Sequence, residues 1–176
     1  SVTTKCEHCG GDRYSRDTLG YKYKGKNIVE ILSMSVEEAL PFFQENKRIK
    51  EKLESLIEVG LPYISLGQPL STFSGGERQR VKLADNIRKK GNIYILDEPT
   101  TGLHPSDIEK VMDILEGFVE RGNSVIVIEH NTDVMKRSDY IIDVGPDGGS
   151  GGGRIVFAGT PREMIEKGET ITSVYL

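Results

Sequence analysis

Ile93-Tyr94-Ile95-Leu96-Asp97-Glu98-Pro99-Thr100 is the stretch that decides the fold class. Four apolar residues run without interruption and give way to two carboxylates and a proline. A short continuous apolar run is the pattern of a strand buried on both faces, as in a parallel sheet. Downstream, Ile108, Val111, Met112, Leu115, Phe118 and Val119 fall on one helical face, with Pro105 near its start and Gly122 at its end. Ser124-Val125-Ile126-Val127-Ile128 reads as a second buried strand. A short helix around 132–137 and a strand at Tyr140-Ile141-Ile142-Asp143-Val144 follow. Strand, helix, strand, helix, strand predicts an α/β fold with a mostly parallel sheet and flanking helices.

Upstream, Ser35-Val36-Glu37-Glu38 is a capping box that opens a helix, with Pro41 placed to kink or end it. Ile49, Leu53, Leu56 and Ile57 keep helical spacing, and Gly60 supplies the stop. Residues 28–70 therefore read as mostly helical. A second capping box, Ser74-Gly75-Gly76-Glu77, opens a helix expected to run to about Lys90. Residues 1–27 read as a small irregular module with a hairpin, since Tyr21-Lys22-Tyr23-Lys24 alternates and Gly25 can turn the chain. The expected divisions are 1–27, 28–90 and 91–176.

The 176 residues, 36% hydrophobic and 28% charged, have an ordinary soluble composition. No apolar run approaches the about 20 residues that span a bilayer. The first residues lack the apolar centre of a signal peptide, so a cytoplasmic protein is expected. The first residue is not Met, which leads to the expectation that residues precede Ser1. Cys6 and Cys9 form a Cys-x-x-Cys pair, half a zinc site or a redox pair. The net charge is −4, yet residues 1–26 carry six basic residues against three acidic ones. Arg13, Lys22 and Lys24, interleaved with Tyr14, Tyr21 and Tyr23, are candidates for nucleic-acid contact. A solvated hairpin edge whose lysines deter strand pairing explains the same pattern.

Three features carry chemistry. The first turn after Ser74 exposes unpaired N–H groups, and Gly75 and Gly76 allow a phosphate to approach them, although a plain helix start reads alike. Asp97 and Glu98 end a strand at the edge where parallel sheets bind ligands. Asp97 suits Mg²⁺, directly or through water, and Glu98 can orient or deprotonate an attacking water. An acidic helix cap is the ordinary alternative. His130, which ends the next strand, can reach a γ-phosphate at that edge or serve as a polar boundary residue.

In order, Ser74-Gly75-Gly76-Glu77, Ile93 to Thr100 and His130 resemble the signature, Walker B, D-loop and H-loop of ABC ATPases. The resemblance is closer to one branch, the UvrA family of bacterial excinuclease ATPases. It runs through Cys6-Glu7-His8-Cys9, Tyr63-Ile64-Ser65-Leu66-Gly67-Gln68-Pro69, Arg78-Gln79-Arg80-Val81-Lys82-Leu83-Ala84, Thr100-Thr101-Gly102-Leu103-His104 and Ile141-Ile142-Asp143-Val144-Gly145-Pro146. Nearly the whole chain is covered, as the C-terminal part of a second nucleotide-binding domain. The resemblance implies an ABC-type, P-loop NTPase-like fold with a helical signature subdomain and a partial zinc module. It implies that Ser74, Gly75, Gly76 and Glu77 meet the γ-phosphate of ATP held by another nucleotide-binding domain. Asp97 would act on magnesium, Glu98 as catalytic base and His130 as γ-phosphate sensor. Cys6 and Cys9 would be half of a four-cysteine zinc site whose other half lies before Ser1. Zinc is thus expected in an intact parent and weak or absent with these ligands alone. Implied partners are the P-loop half of the same or another domain, a second copy in a homodimer, DNA and an excinuclease partner protein, with no membrane.

No G-x-x-x-x-G-K-[ST] string is present. The run Gly148 to Gly153 lacks the Lys-Ser or Lys-Thr and leads into apolar Ile155-Val156-Phe157, so it reads as a loop between two strands. The fold is thus expected to lack its P-loop strand, to be inactive alone, and to compensate by self-association or rearrangement. Phe73, where the signature usually has leucine, and a short segment from Ile87 to Asn92 point to a UvrA-like relative. The function expected of the parent is ATP hydrolysis coupled to damaged-DNA recognition. The alternatives are a drug-resistance ATPase and a DNA-binding or interaction module without hydrolysis.

Overall fold

Short polar residues set the helix starts of the first half of the chain. Ser15 caps α1 (Arg16–Leu19). Asn27 with Glu30 and Ser35 with Glu38 form reciprocal capping boxes at α2 (Ile28–Ser33) and α3 (Val36–Phe42). Pro41 lies in the last turn of α3, which ends one residue later. Asn46 caps α4 (Lys47–Glu58), and Gly60, with φ of 72°, turns the chain out of it. The returning segment bonds back onto the start of α3, with the Val36 N–H donating to the Ile64 carbonyl at 3.0 Å and the Glu37 N–H to Pro62 at 3.0 Å. A 3₁₀ turn at Leu70–Thr72 leads into α5 (Gly75–Ala84). That helix stops well short of Lys90, at Asp85 and Asn86, residue types with low helix propensity.

The computed structural model describes Cys6 and residues 9–146 and 152–176, and these form two compact units, Ser1–Arg88 and Lys89–Leu176. In the first, α3, α4 and α5 pack around a core that includes Val36, Phe43, Leu53, Leu61, Ile64, Phe73 and Leu83. The expected hairpin is a single bridge between Tyr23 and Lys26 across a Lys24-Gly25 turn. Both turn residues have positive φ, at 46° and 82°.

The second unit runs β1 (Ile93–Asp97), α6 (Pro105–Glu120), β2 (Ser124–Ile128), α7 (Thr132–Arg137), β3 (Ile141–Gly145), β4 (Arg154–Gly159), α8 (Pro161–Lys167) and a 3₁₀ turn at Thr172–Tyr175. β1 and β2 are parallel in the register Ile93 with Ser124 to Asp97 with Ile128. Asn123 clasps their starting ends: its side-chain oxygen accepts from the Asn92 N–H at 3.1 Å. Its amide nitrogen donates to the Lys89 and Phe118 carbonyls at 3.1 and 2.8 Å. α6 covers one face of this ribbon, where Tyr94 meets Phe118 with ring centres 4.8 Å apart.

Two expectations are corrected here. The mostly parallel sheet is, among the described residues, a parallel pair and a separate antiparallel pair, since β3 bonds to β4 rather than to β2. A strand that follows closely in sequence is the partner within reach. The strands read as buried on both faces are covered on one only: Ile93, Ile95, Ile126 and Ile128 are exposed. On the second pair, Ile141 and Phe157 face inward with Met164, Met135 and Leu176, while Ile142, Val144 and Ile155 face solvent. Most of the glycine-rich run, from Gly148 to Gly151, lies outside the described residues, and β3 and β4 flank it. Among the described residues no helix is long and apolar enough to cross a membrane.

Candidate functional site

The parallel register of β1 and β2 makes both chains leave the sheet at the same edge. There the Glu98 N–H donates to the Ile128 carbonyl at 2.9 Å, adding one rung beyond the strands. Glu98 has φ of 43°, a left-handed conformation that a non-glycine residue adopts at a cost and that is frequent at functional sites. The Thr101 hydroxyl donates to one oxygen of its carboxylate at 3.0 Å. The other oxygen lies 3.8 Å from Nδ1 of His130. Asp97, Glu98 and His130 thus stand together, exposed, at the carboxyl edge of the parallel pair.

One residue beneath them is not singled out by sequence reasoning. The Glu129 carboxylate accepts four hydrogen bonds: from the Thr100 N–H and hydroxyl at 2.9 and 2.5 Å, the His130 N–H at 3.1 Å and the Asn131 N–H at 3.3 Å. Burial pushes its pKa up, but these donors outweigh burial and hold it below the usual carboxylate range. A carboxylate directly before His130 is visible in the sequence, but its partner Thr100 lies too far away for spacing to reveal.

Asp97 presents a hard oxygen donor at an open edge, of the kind that suits a magnesium ion. Cys6 is exposed and Cys9 half-buried, and the described residues bring no third metal-ligating side chain to them. Two thiolates fit half of a tetrahedral zinc site. His8 lies outside the described residues.

In the first unit, Ser74 caps α5 by accepting from the Glu77 N–H at 3.2 Å, and the Glu77 carboxylate accepts from the Ser74 N–H at 2.8 Å. The other Glu77 oxygen accepts from the Tyr63 hydroxyl at 2.7 Å, and buried Arg80 lies behind that hydroxyl. The Ser74 N–H and then the Tyr63 hydroxyl hold Glu77 below the usual carboxylate range. Burial and the Glu77 carboxylate hold the Tyr63 hydroxyl above its own. Ser74 and Gly75 are exposed at the helix start and Gly76 is buried.

The three candidate nucleic-acid contacts differ. Arg13 donates to the Gly67 carbonyl at 3.0 Å, where a side chain on Gly67 would stand 2.9 Å from the Leu32 Cβ. Lys24 donates to the Phe42 carbonyl at 3.2 Å and pairs with Glu45 at 3.0 Å, while Tyr23 stacks on Phe43. Lys22 and Tyr21 are exposed.

Residues 11–101 match the family model described as ABC transporter. UvrABC system protein A of Staphylococcus aureus (strain COL) is 54% identical over 99% of this chain, and that of Bacillus subtilis (strain 168) 53% identical over 99%. The crystal structure of UvrA2 from Deinococcus radiodurans matches 97% of the chain at 46% identity with a TM-score of 0.84. The chain spans about a fifth of the length of these proteins, 19% of the two curated relatives and 21% of the UvrA2 chain. With more than half of its residues inside the family model and this likeness along nearly all of it, the chain belongs to the ABC transporter family, in its UvrA-like branch.

Proposed function

We propose that the chain is part of a UvrA-like ATPase that binds and hydrolyses ATP, coupled in the longer protein to recognition of damaged DNA in excision repair. The observation that carries this reading is the approach of His130 to within 3.8 Å of Glu98, beside Asp97, on the ligand edge of the parallel strands. Glu98 is the base that orients or deprotonates the attacking water, and His130 contacts the γ-phosphate. Asp97 holds the magnesium ion, which when bound neutralises phosphate charge. The start of α5, with Ser74, Gly75, Gly76 and Glu77, meets the γ-phosphate of a nucleotide held by another domain through the helix dipole and the N–H groups of Gly75 and Gly76, since those of Ser74 and Glu77 bond within the capping box. That division of labour requires a P-loop from elsewhere, and a homodimer is the arrangement expected to supply facing sites.

DNA, zinc and an excinuclease partner protein belong to this reading for the longer protein. The names of the relatives support repair. Among Arg13, Lys22 and Lys24, Lys22 has the side chain best placed for a phosphate, because the other two are engaged within their own unit. The test is Glu98→Gln in the full-length protein, read as ATP turnover and ATP binding. Turnover is expected to fall about 100-fold or more with binding kept. Unchanged turnover would remove Glu98 as the base and overturn the reading.

A further inference from the structure

The loops after β1 and β2 carry Glu98 and His130, and strand pairing alone does not fix their separation. The last backbone bond between the two segments is the one from Glu98 to Ile128. Beyond it the chains diverge, and Glu129 joins them. One oxygen of its carboxylate takes both donors of Thr100, on the first loop, and the other takes the N–H groups of His130 and Asn131, on the second. Thr100 is 4% exposed, so this junction sits under the exposed edge rather than on it.

The chemistry of the junction specifies a carboxylate. All four bonds arrive from N–H or O–H donors, and an ionised carboxylate accepts at both oxygens. A glutamine offers one oxygen and one NH₂, so the NH₂ would face a pair of donors and one loop would be released. The junction also reaches the two groups above it along short paths. Thr100 is two residues from Glu98, whose own side chain is held by Thr101. The second arm begins at the N–H of His130 itself.

We propose that Glu129 is a positioning residue, which sets the separation of Glu98 and His130 by tying the two loops to one carboxylate and thereby sets the rate of the chemical step. This rests on the proposed function for its catalytic half, while the tie itself is a property of the fold and can be read without nucleotide.

The experiment compares Glu129→Gln, Glu129→Asp and Glu98→Gln in the full-length protein. Steady-state ATP turnover is measured alongside hydrogen exchange at the Thr100 and Asn131 amides without nucleotide. For Glu129→Gln the expected result is a kcat about 10- to 100-fold lower with KM for ATP within about threefold, and faster exchange at one or both amides. Glu129→Asp, which keeps an acceptor at both oxygens on a shorter stem, is expected to recover part of the rate. A kcat for Glu129→Gln within about twofold of wild type, with Glu98→Gln inactive, overturns the proposal and leaves the proposed function standing. A loss identical in both Glu129 variants and matched by loss of thermal stability makes the residue merely structural and also overturns it. If Glu98→Gln turns over ATP normally, the functional reading fails instead. Exchange then decides the tie, with unchanged Thr100 and Asn131 amides overturning it.

Discussion

Leu53 and Leu61 of the helical unit are 4% and 0% exposed, whereas Ile95 and Ile126, apolar side chains of the same size, are 68% and 51% exposed in the sheet unit. The difference follows from what each element needs. A helix has one apolar stripe, and α3, α4 and α5 close theirs against partners near in sequence. A strand inside a parallel sheet has two faces and two edges to fill. β1 and β2 fill one edge with each other and one face with α6. Local sequence therefore completes the first unit, and in the second it leaves apolar surface uncovered.

The strongest way to break this contrast is to cut into each core. Phe118→Ala and Leu61→Ala, both at fully buried positions, are expected to cost about 3–5 and about 2–5 kcal/mol, read from urea unfolding of this chain. If the two units unfold independently, each change shifts one transition only; a single shared shift would mean that neither is self-contained.

Acid acts next. The folded pKa values of Glu129 and Glu77 are depressed, so their stabilisation is present above the ordinary carboxylate value of about 4.3 and is lost as pH falls through the lower folded values. The unfolding midpoint should stay level from about pH 7 to 5 and drop below about pH 4. Glu129→Gln should remove part of that drop; a drop of full size in the variant would assign it to other groups.

The smallest stability effect belongs to the open face. Ile126→Thr should change unfolding by no more than about 0.5 kcal/mol, since the side chain is half exposed already. Sedimentation should nevertheless register it as weaker self-association. Equal association before and after the change would show that this face is not where copies meet.

What is legible in the sequence depends on how local the signal is. Asp97, Glu98 and His130 can be placed at one edge because each lies within two residues of the end of a short apolar run. Ser74 and Glu77 can be placed because a capping box spans four residues. The Glu129–Thr100 junction cannot, because it joins residues from two strands through the fold. The end of α5 departs from its periodicity, since Ile87 keeps helical spacing but Asp85 and Asn86 break the helix first. β3 leaves the parallel sheet expected of it because periodicity reports a strand without naming its neighbour. The exposed faces have the same origin: an apolar run records that burial is needed, and is silent about what supplies it.

The clasp at Asn123 has a consequence for how the ribbon opens. It fastens the starting ends of both strands through a neutral amide, which no change of pH releases. Acid that protonates Glu129 loosens the Glu98 edge, whereas the far end stays fastened. A one-residue slip would turn every outward side chain inward. With one end pinned, each closure rebuilds the same alignment, so Asp97 returns opposite Ile128 every time and the edge keeps a memory of its register.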